Sequence, residues 1–229
     1  MTQSSQNNNN DRHPQRAVLV WDVPTRLFHW LLVILVTACV TTAKIGGNWM
    51  TTHMLSGYLV LALLLFRVVW GVVGGHHARF AAFVYGPRTV LRYAARFARM
   101  DAPRYLGHNP LGAWSVVAML VALALQVSTG LFASDDIFTQ GPLYPLVSHD
   151  TSKMLTRIHN INAMVIAGLV AVHFSAVMFY LLVKGENLIK PMFTGLKMWH
   201  GEVSPCGGSL WAAALAAGIS GALAYLIVS

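Results

Sequence analysis

Charge is scarce in this 229-residue chain. Only 10% of its residues are Asp, Glu, Lys or Arg, and 55% are apolar. The mean hydropathy is +0.55. A soluble globular domain carries about a quarter charged residues, so this composition excludes one. Acidic side chains number eight, and none falls within a long apolar run. Cysteine is rarer still, with Cys39 and Cys206 alone. No CxxC or CxxCH occurs, which argues against an iron–sulfur cluster or a covalently attached c-type haem. Cys39 and Cys206 also fall near opposite membrane faces, too far apart to pair within one chain.

What the chain has in quantity is long apolar segments. Five stretches, about 27–43, 54–74, 111–133, 158–183 and 209–228, carry little or no charge. Each is close to the roughly 20 residues that a spanning helix needs. Backbone groups in lipid must be satisfied within the segment, so runs of this length predict helices. The expectation is a polytopic, all-α membrane protein whose first partner is the lipid bilayer.

The formal charge of +8 might suggest nucleic acid, but its distribution does not. Of sixteen Lys and Arg, only Lys44, Lys153 and Arg157 fall toward one side. The others lie in the N-terminal tail, the 75–109 and 184–208 loops, or the second span, as Arg67. The positive-inside rule then predicts a cytoplasmic N-terminus and, with five spans, a C-terminus on the opposite, outer side. Residues 1–16 are low-complexity and read as a disordered cytoplasmic tail. Residues 17–200 form the main unit, and 201–229 a linker and an added span. Arg88, Arg92, Arg96 and Arg99 repeat at helical spacing, which predicts an amphipathic helix on the membrane surface. Ala213, Ala217, Gly218 and Gly221 predict close packing of the fifth span against another helix.

Four histidines interrupt the apolar segments: His29, His53, His159 and His173. His159 and His173 are fourteen residues apart, roughly 21 Å along a helix and about 40° off a common face. Following the chain back and forth, His53 and His159, in the first turn of the fourth span, share the outer level. His29 and His173 share the inner level. Imidazoles in a bilayer mark ion paths, proton relays or metals. Zinc or copper would recruit further carboxylates, thiolates or histidines, which the spans do not supply. Haem fills four iron positions itself, so two imidazoles suffice. Gly57, Gly168 and the nearby Ala163, Ala167 and Ala176 would let a flat macrocycle approach. Arg67 needs a counter-charge, which a haem propionate or snorkelling to the surface could answer. Arg26 and Arg157 stand just before histidine-bearing turns and are candidates for the same role. His108, before Asn109-Pro110, could cap the third span or touch a cofactor carboxylate. Asn160 and Asn162 flank a candidate ligand. His13, His76, His77, His149 and His200 read as solvated.

Particular segments sharpen this reading. Val20-Trp21-Asp22-Val23-Pro24-Thr25-Arg26-Leu27-Phe28-His29-Trp30 resembles the opening of the prokaryotic cytochrome b561 family, which includes the b-type cytochrome subunits of nickel–iron hydrogenases. His53-x3-Gly57-Tyr58, Phe66-Arg67-x2-Trp70-Gly71-x2-Gly74 and Ala78-Arg79-Phe80 continue the likeness. So do His108-Asn109-Pro110-Leu111-Gly112, Thr129-Gly130-Leu131-Phe132, Ile158-His159-Asn160 through His173, Asn187-Leu188-Ile189 and Gly195-x-Lys197. The resemblance implies a four-helix transmembrane haem-binding bundle, here with an additional C-terminal helix. It implies two non-covalent haems b that carry electrons between a quinone pool and a redox partner. That partner would be a periplasmic c-type cytochrome or a hydrogenase-like subunit, and homo-oligomerisation stays open. Two other readings stay open: a stand-alone superoxide oxidase that reduces quinone, and a transporter that relays metal ions or protons along the histidines. The second predicts a colourless protein.

Overall fold

The computed structural model describes residues 15–200, 203 and 207–229. Nearly all of the expected tail, with His13 and Cys206, lies outside the described residues. Five helices are long and apolar enough to cross a membrane: α1 (Val23–Ile45), α2 (Met50–Val73), α5 (Pro110–Gly130), α6 (His149–Leu182) and α8 (Leu210–Val228). Between them lie the short α3 (Phe80–Phe83), the surface helix α4 (Pro87–Ala98) and α7 (Ile189–Thr194). Two strands, β1 (Arg16–Leu19) and β2 (Leu196–Trp199), pair antiparallel with Leu19 opposite Leu196. This ribbon, unforeseen in the sequence, marks one side of the bundle, called here the ribbon side. The turn after α1 and the segment between α5 and α6 mark the other, the loop side.

The helix starts are written in short polar side chains. Asp22 Oδ1 accepts from the Thr25 N–H at 2.9 Å, and Pro24 sits in the first turn of α1. Asn109 Oδ1 accepts from the Gly112 N–H at 2.8 Å, and Pro110 opens α5. Each satisfies an N–H that the helix leaves orphaned. Asn109, not His108, therefore caps α5. Ser148 caps α6, accepting from the Thr151 N–H at 3.2 Å. That start is nine residues ahead of the apolar run. His159 consequently sits in the third turn of α6 and not in its first. The run Asp150-Thr-Ser-Lys-Met-Leu-Thr-Arg157 is helical but polar, so hydropathy alone did not register it.

In the bundle α1 packs on α2, α2 on α5 and α8, and α5 on α6 and α4. An apolar layer crosses its middle, built from Val60, Leu64, Ala122, Leu123 and Ile166 and flanked by Leu32, Leu35 and Val36. A second apolar cluster, Phe28, Phe66, Trp70, Ala78, Ala213 and Ala216, joins α1 and α2 to α8. Trp70 is fully buried there. The stripe that α8 buries is Ala213, Ala216, Ser220 and Ala224. Ala217, Gly218 and Gly221 face outward, contrary to the packing expected of them. The angular difference is small, and only the position of α2 selects one small-residue stripe over its neighbour. On α4, Tyr93 is buried while Arg88, Arg92, Arg96 and Arg99 are exposed, as an amphipathic surface helix requires.

The ribbon side is tied together by polar contacts. Lys197 Nζ lies 2.6 Å from Glu186 Oε1 and donates to the Tyr105 carbonyl at 2.7 Å. Gly195 has φ +79°, and its carbonyl accepts from the N–H groups of Val20 (2.8 Å) and Trp21 (3.2 Å). A Cβ on Gly195 would come within 2.8 Å of the Trp21 carbonyl oxygen. Glycine is thus required both by the left-handed backbone and by the close approach.

Candidate functional site

On the loop side, His53 of α2 and His159 of α6 face each other. Their ring centres are 6.2 Å apart and their planes 78° apart. His53 Nδ1 lies 2.9 Å from the Cys39 carbonyl oxygen, and His159 Nδ1 2.9 Å from the Gln126 carbonyl oxygen. A carbonyl can only accept, so both Nδ1 atoms carry the proton and both Nε2 lone pairs are available. This is how a metal-binding imidazole is ordinarily oriented. An iron held by two imidazoles at bonds of about 2 Å would space the ring centres by roughly 6 Å.

Further residues hold this pair, and the sequence reading had not singled out most of them. Asn162, buried, donates from Nδ2 to the Ala122 carbonyl (2.8 Å) and to Gln126 Oε1 (2.7 Å). It fixes the turn of α5 whose carbonyl receives His159. Gln126 is the sole carboxamide on α5, and that was the available signal. A Cβ on Gly130 would come within 2.9 Å of His159 Cε1, so α5 must be bare there for the ring to fit. Asn160, the other flanking asparagine, is exposed, as is Arg157. Gly57, one turn along α2 from His53, has no atom within 4 Å of the place a Cβ would take.

The ribbon-side level is formed by His29 of α1 and His173 of α6, close enough for charge on one to act on the other. The His29 Nδ1 atom is buried and has no partner. Arg67, 4% exposed, lies at the same level, with its guanidinium 4.6 Å from the centre of the Phe80 ring. Its Nη1 atom is also buried without a partner. Asp22 is the carboxylate close enough to act on it. Its place just ahead of α1, outside any apolar run, hid it from a search of the spans. Arg26 donates from Nη1 to the Phe193 carbonyl, while its Nε is buried and unpartnered. His108 is enclosed by Trp21 (ring centres 4.7 Å) and Phe83 (4.6 Å). Burial holds its imidazole down to about 3, and the nearby Arg67, His77 and His173 act in the same direction. His77 is half-buried, not solvated as expected. Burial and the neighbouring His76 lower its pKa as well.

The donor set can be tested against candidate ligands. Among the described residues no three His, Cys, Asp or Glu side chains gather at one point. Two-imidazole sets suit a macrocycle that supplies the other four ligands, and orphaned N–H groups beside one set suit its carboxylates. Fold and site together define a multi-pass helical membrane protein with a facing histidine pair, His53 and His159, on one side and two further histidines, His29 and His173, toward the other.

The family model for prokaryotic cytochrome b561 matches residues 20–195. The chain belongs to that family, and so is a b-type cytochrome, a haem-carrying membrane protein of electron transport. A probable Ni/Fe-hydrogenase B-type cytochrome subunit of Azotobacter vinelandii is 26% identical over 223 residues, spanning 82% of this chain and 91% of that protein. The similarly named protein of Bradyrhizobium diazoefficiens is 21% identical over 219 residues, covering 80% and 87%. No solved structure matches the chain.

Proposed function

We propose that this chain carries two non-covalent haems b and moves electrons across a bacterial inner membrane between a quinone pool and a redox partner on the periplasmic side. His53 and His159 would hold the outer haem, His29 and His173 the inner one. Arg67, Arg26, Arg157, Gly57 and His108 complete the cofactor-binding set, all within the unit 17–200. The observation that carries the reading is the His53–His159 pair, spaced at 6.2 Å with both Nε2 atoms available. Haem supplies a one-electron couple at each level. The two levels would lie roughly 21 Å apart along α6, with Ile166 midway and apolar packing between them. The basic loops favour a cytoplasmic ribbon side. The names of the relatives favour a hydrogenase-like subunit as the partner on the opposite face.

A dithionite-reduced minus oxidised spectrum, with pyridine haemochrome quantitation of the purified protein, tests this reading. Two haems b per chain are expected. One haem would break one of the pairs, and none would discard both.

A further inference from the structure

His77 and His108 lie on loops at the ribbon side, outside the spans, and each buries a ring nitrogen that has no partner: Nε2 of His77 and Nδ1 of His108. They belong to one cluster. Trp21 lies between them, its ring centre 4.7 Å from that of His108 and 6.4 Å from that of His77. Gly107, next to His108 in the chain, places the site of a Cβ 3.1 Å from His77 Nδ1. Phe83 then joins His108 (4.6 Å) to the Arg67 guanidinium (5.9 Å), whose Nη1 is the third unpartnered buried nitrogen. Asp22 acts on Arg67 by charge, with its Oδ2 also buried and unpartnered, but it makes no hydrogen bond to any of the three nitrogens, and each buried donor left so costs free energy comparable to a lost hydrogen bond. A shared anionic acceptor resolves all three at once. The rings of His77 and His108 are partly exposed, but all three nitrogens are buried and Arg67 is 4% exposed, which favours an acceptor that enters from the bundle interior. That direction favours a cofactor over an aqueous anion or a lipid headgroup.

We propose that His77, His108 and Arg67 form a carboxylate cradle that receives a propionate of the haem held by His29 and His173. The inference rests on the two-haem reading above. Trp21, anchored through Gly195 and the ribbon, is the positioning residue that sets the two imidazoles. The cradle offsets the propionate charge and so favours the ferrous state of the nearby iron, by the electrostatic tuning through which a protein adjusts a haem potential.

The test is a spectroelectrochemical titration of the full-length, haem-loaded protein and of His77→Ala and His108→Ala. At a fixed ambient potential, each loss of a charge-assisted hydrogen bond should raise the ferric-to-ferrous ratio of the inner haem severalfold, up to about tenfold where the full bond energy separates the two oxidation states. The outer haem should not change. His77→Gln and His108→Gln, which keep an N–H donor, should return the inner haem close to its wild-type potential. Two bound haems with an unmoved inner potential in both alanine variants would overturn the cradle. If an alanine variant loses the inner haem, the glutamine pair decides. Retention near the wild-type potential supports the cradle, and loss there too overturns it. A wild-type protein with a single haem would instead overturn the underlying reading, and the cradle with it.

Discussion

At the scale of single residues, the two-haem proposal makes the two histidine levels independent, so each should respond to its own substitutions. His173→Ala should remove the inner haem signal and leave the outer one, read as half the wild-type pyridine haemochrome. Retention of both signals would sink the pairing by level. Gly130→Val should do the reverse, because even the first carbon of its side chain meets the His159 ring. Asn162→Leu strands the Ala122 carbonyl and the Gln126 carboxamide in a buried place. It should destabilise the protein by about 1–3 kcal/mol and shift the outer haem potential, while the inner potential holds. On the loop side, Asp135 accepts from the backbone of Thr139, Ile137 and Phe138, and these bonds hold its carboxyl at about 2, against an ordinary 3.8. A depressed carboxyl stabilises its loop fully above the unfolded value and loses that contribution as pH falls through the folded one. Hydrogen exchange of residues 135–141, corrected for intrinsic rate, should show protection flat from pH 7 to about 4 and failing below.

At the scale of elements, α8 is the informative one. It carries no histidine and no charge, and it touches the bundle through α2, around the buried Trp70. Trp70 Nε1 points at Asp22 Oδ1 across 3.4 Å, so the packing of α8 also bears on the cap of α1. Ending the chain after Val203 should therefore leave both haems bound and lower the melting temperature. Trp70→Ala should cost about 3–5 kcal/mol in the intact protein, measured by thermal unfolding followed through the haem absorption. The ribbon acts on a different part of the molecule. β1 and β2 hold Trp21 and Asp22 over the start of α1, and Lys197 ties the 99–109 loop to the same place. Short loop residues scattered along the sequence thereby become one cap over the inner level.

At the scale of the whole molecule, five crossings would put Arg16 and Ser229 on opposite faces. Alkaline phosphatase fused after Ser229 should be active, and the same enzyme fused ahead of Met1 inactive, if the basic ribbon side is cytoplasmic. The arrangement of packing partners is also a whole-molecule property. With α2 and α5 as the central pair, α1 and α6 bring their histidines to a common level without packing closely on each other. A flat cofactor between them would meet side chains where two helices in contact would leave no room.

The sequence by itself determined the number of candidate spans and the four histidines within them. Lipid forces long apolar runs into helices, and a helix of fixed rise converts residue spacing into depth. It also carried the family through motifs that run from Val20 to Lys197. It did not reveal where α6 begins, because a capped polar extension has no hydropathy signature. It did not reveal the ribbon, whose strands start 180 residues apart and are four residues long. Nor did it reveal that Gln126 and Cys39 offer carbonyls to the histidines, since every residue has a carbonyl. Only the tertiary structure decided these points, along with the gathering of Trp21, Asp22, Arg67, His77 and His108. Such contacts depend on which helix faces meet and which loops fold back, and that is settled by packing between distant segments, not by the local pattern of any one of them.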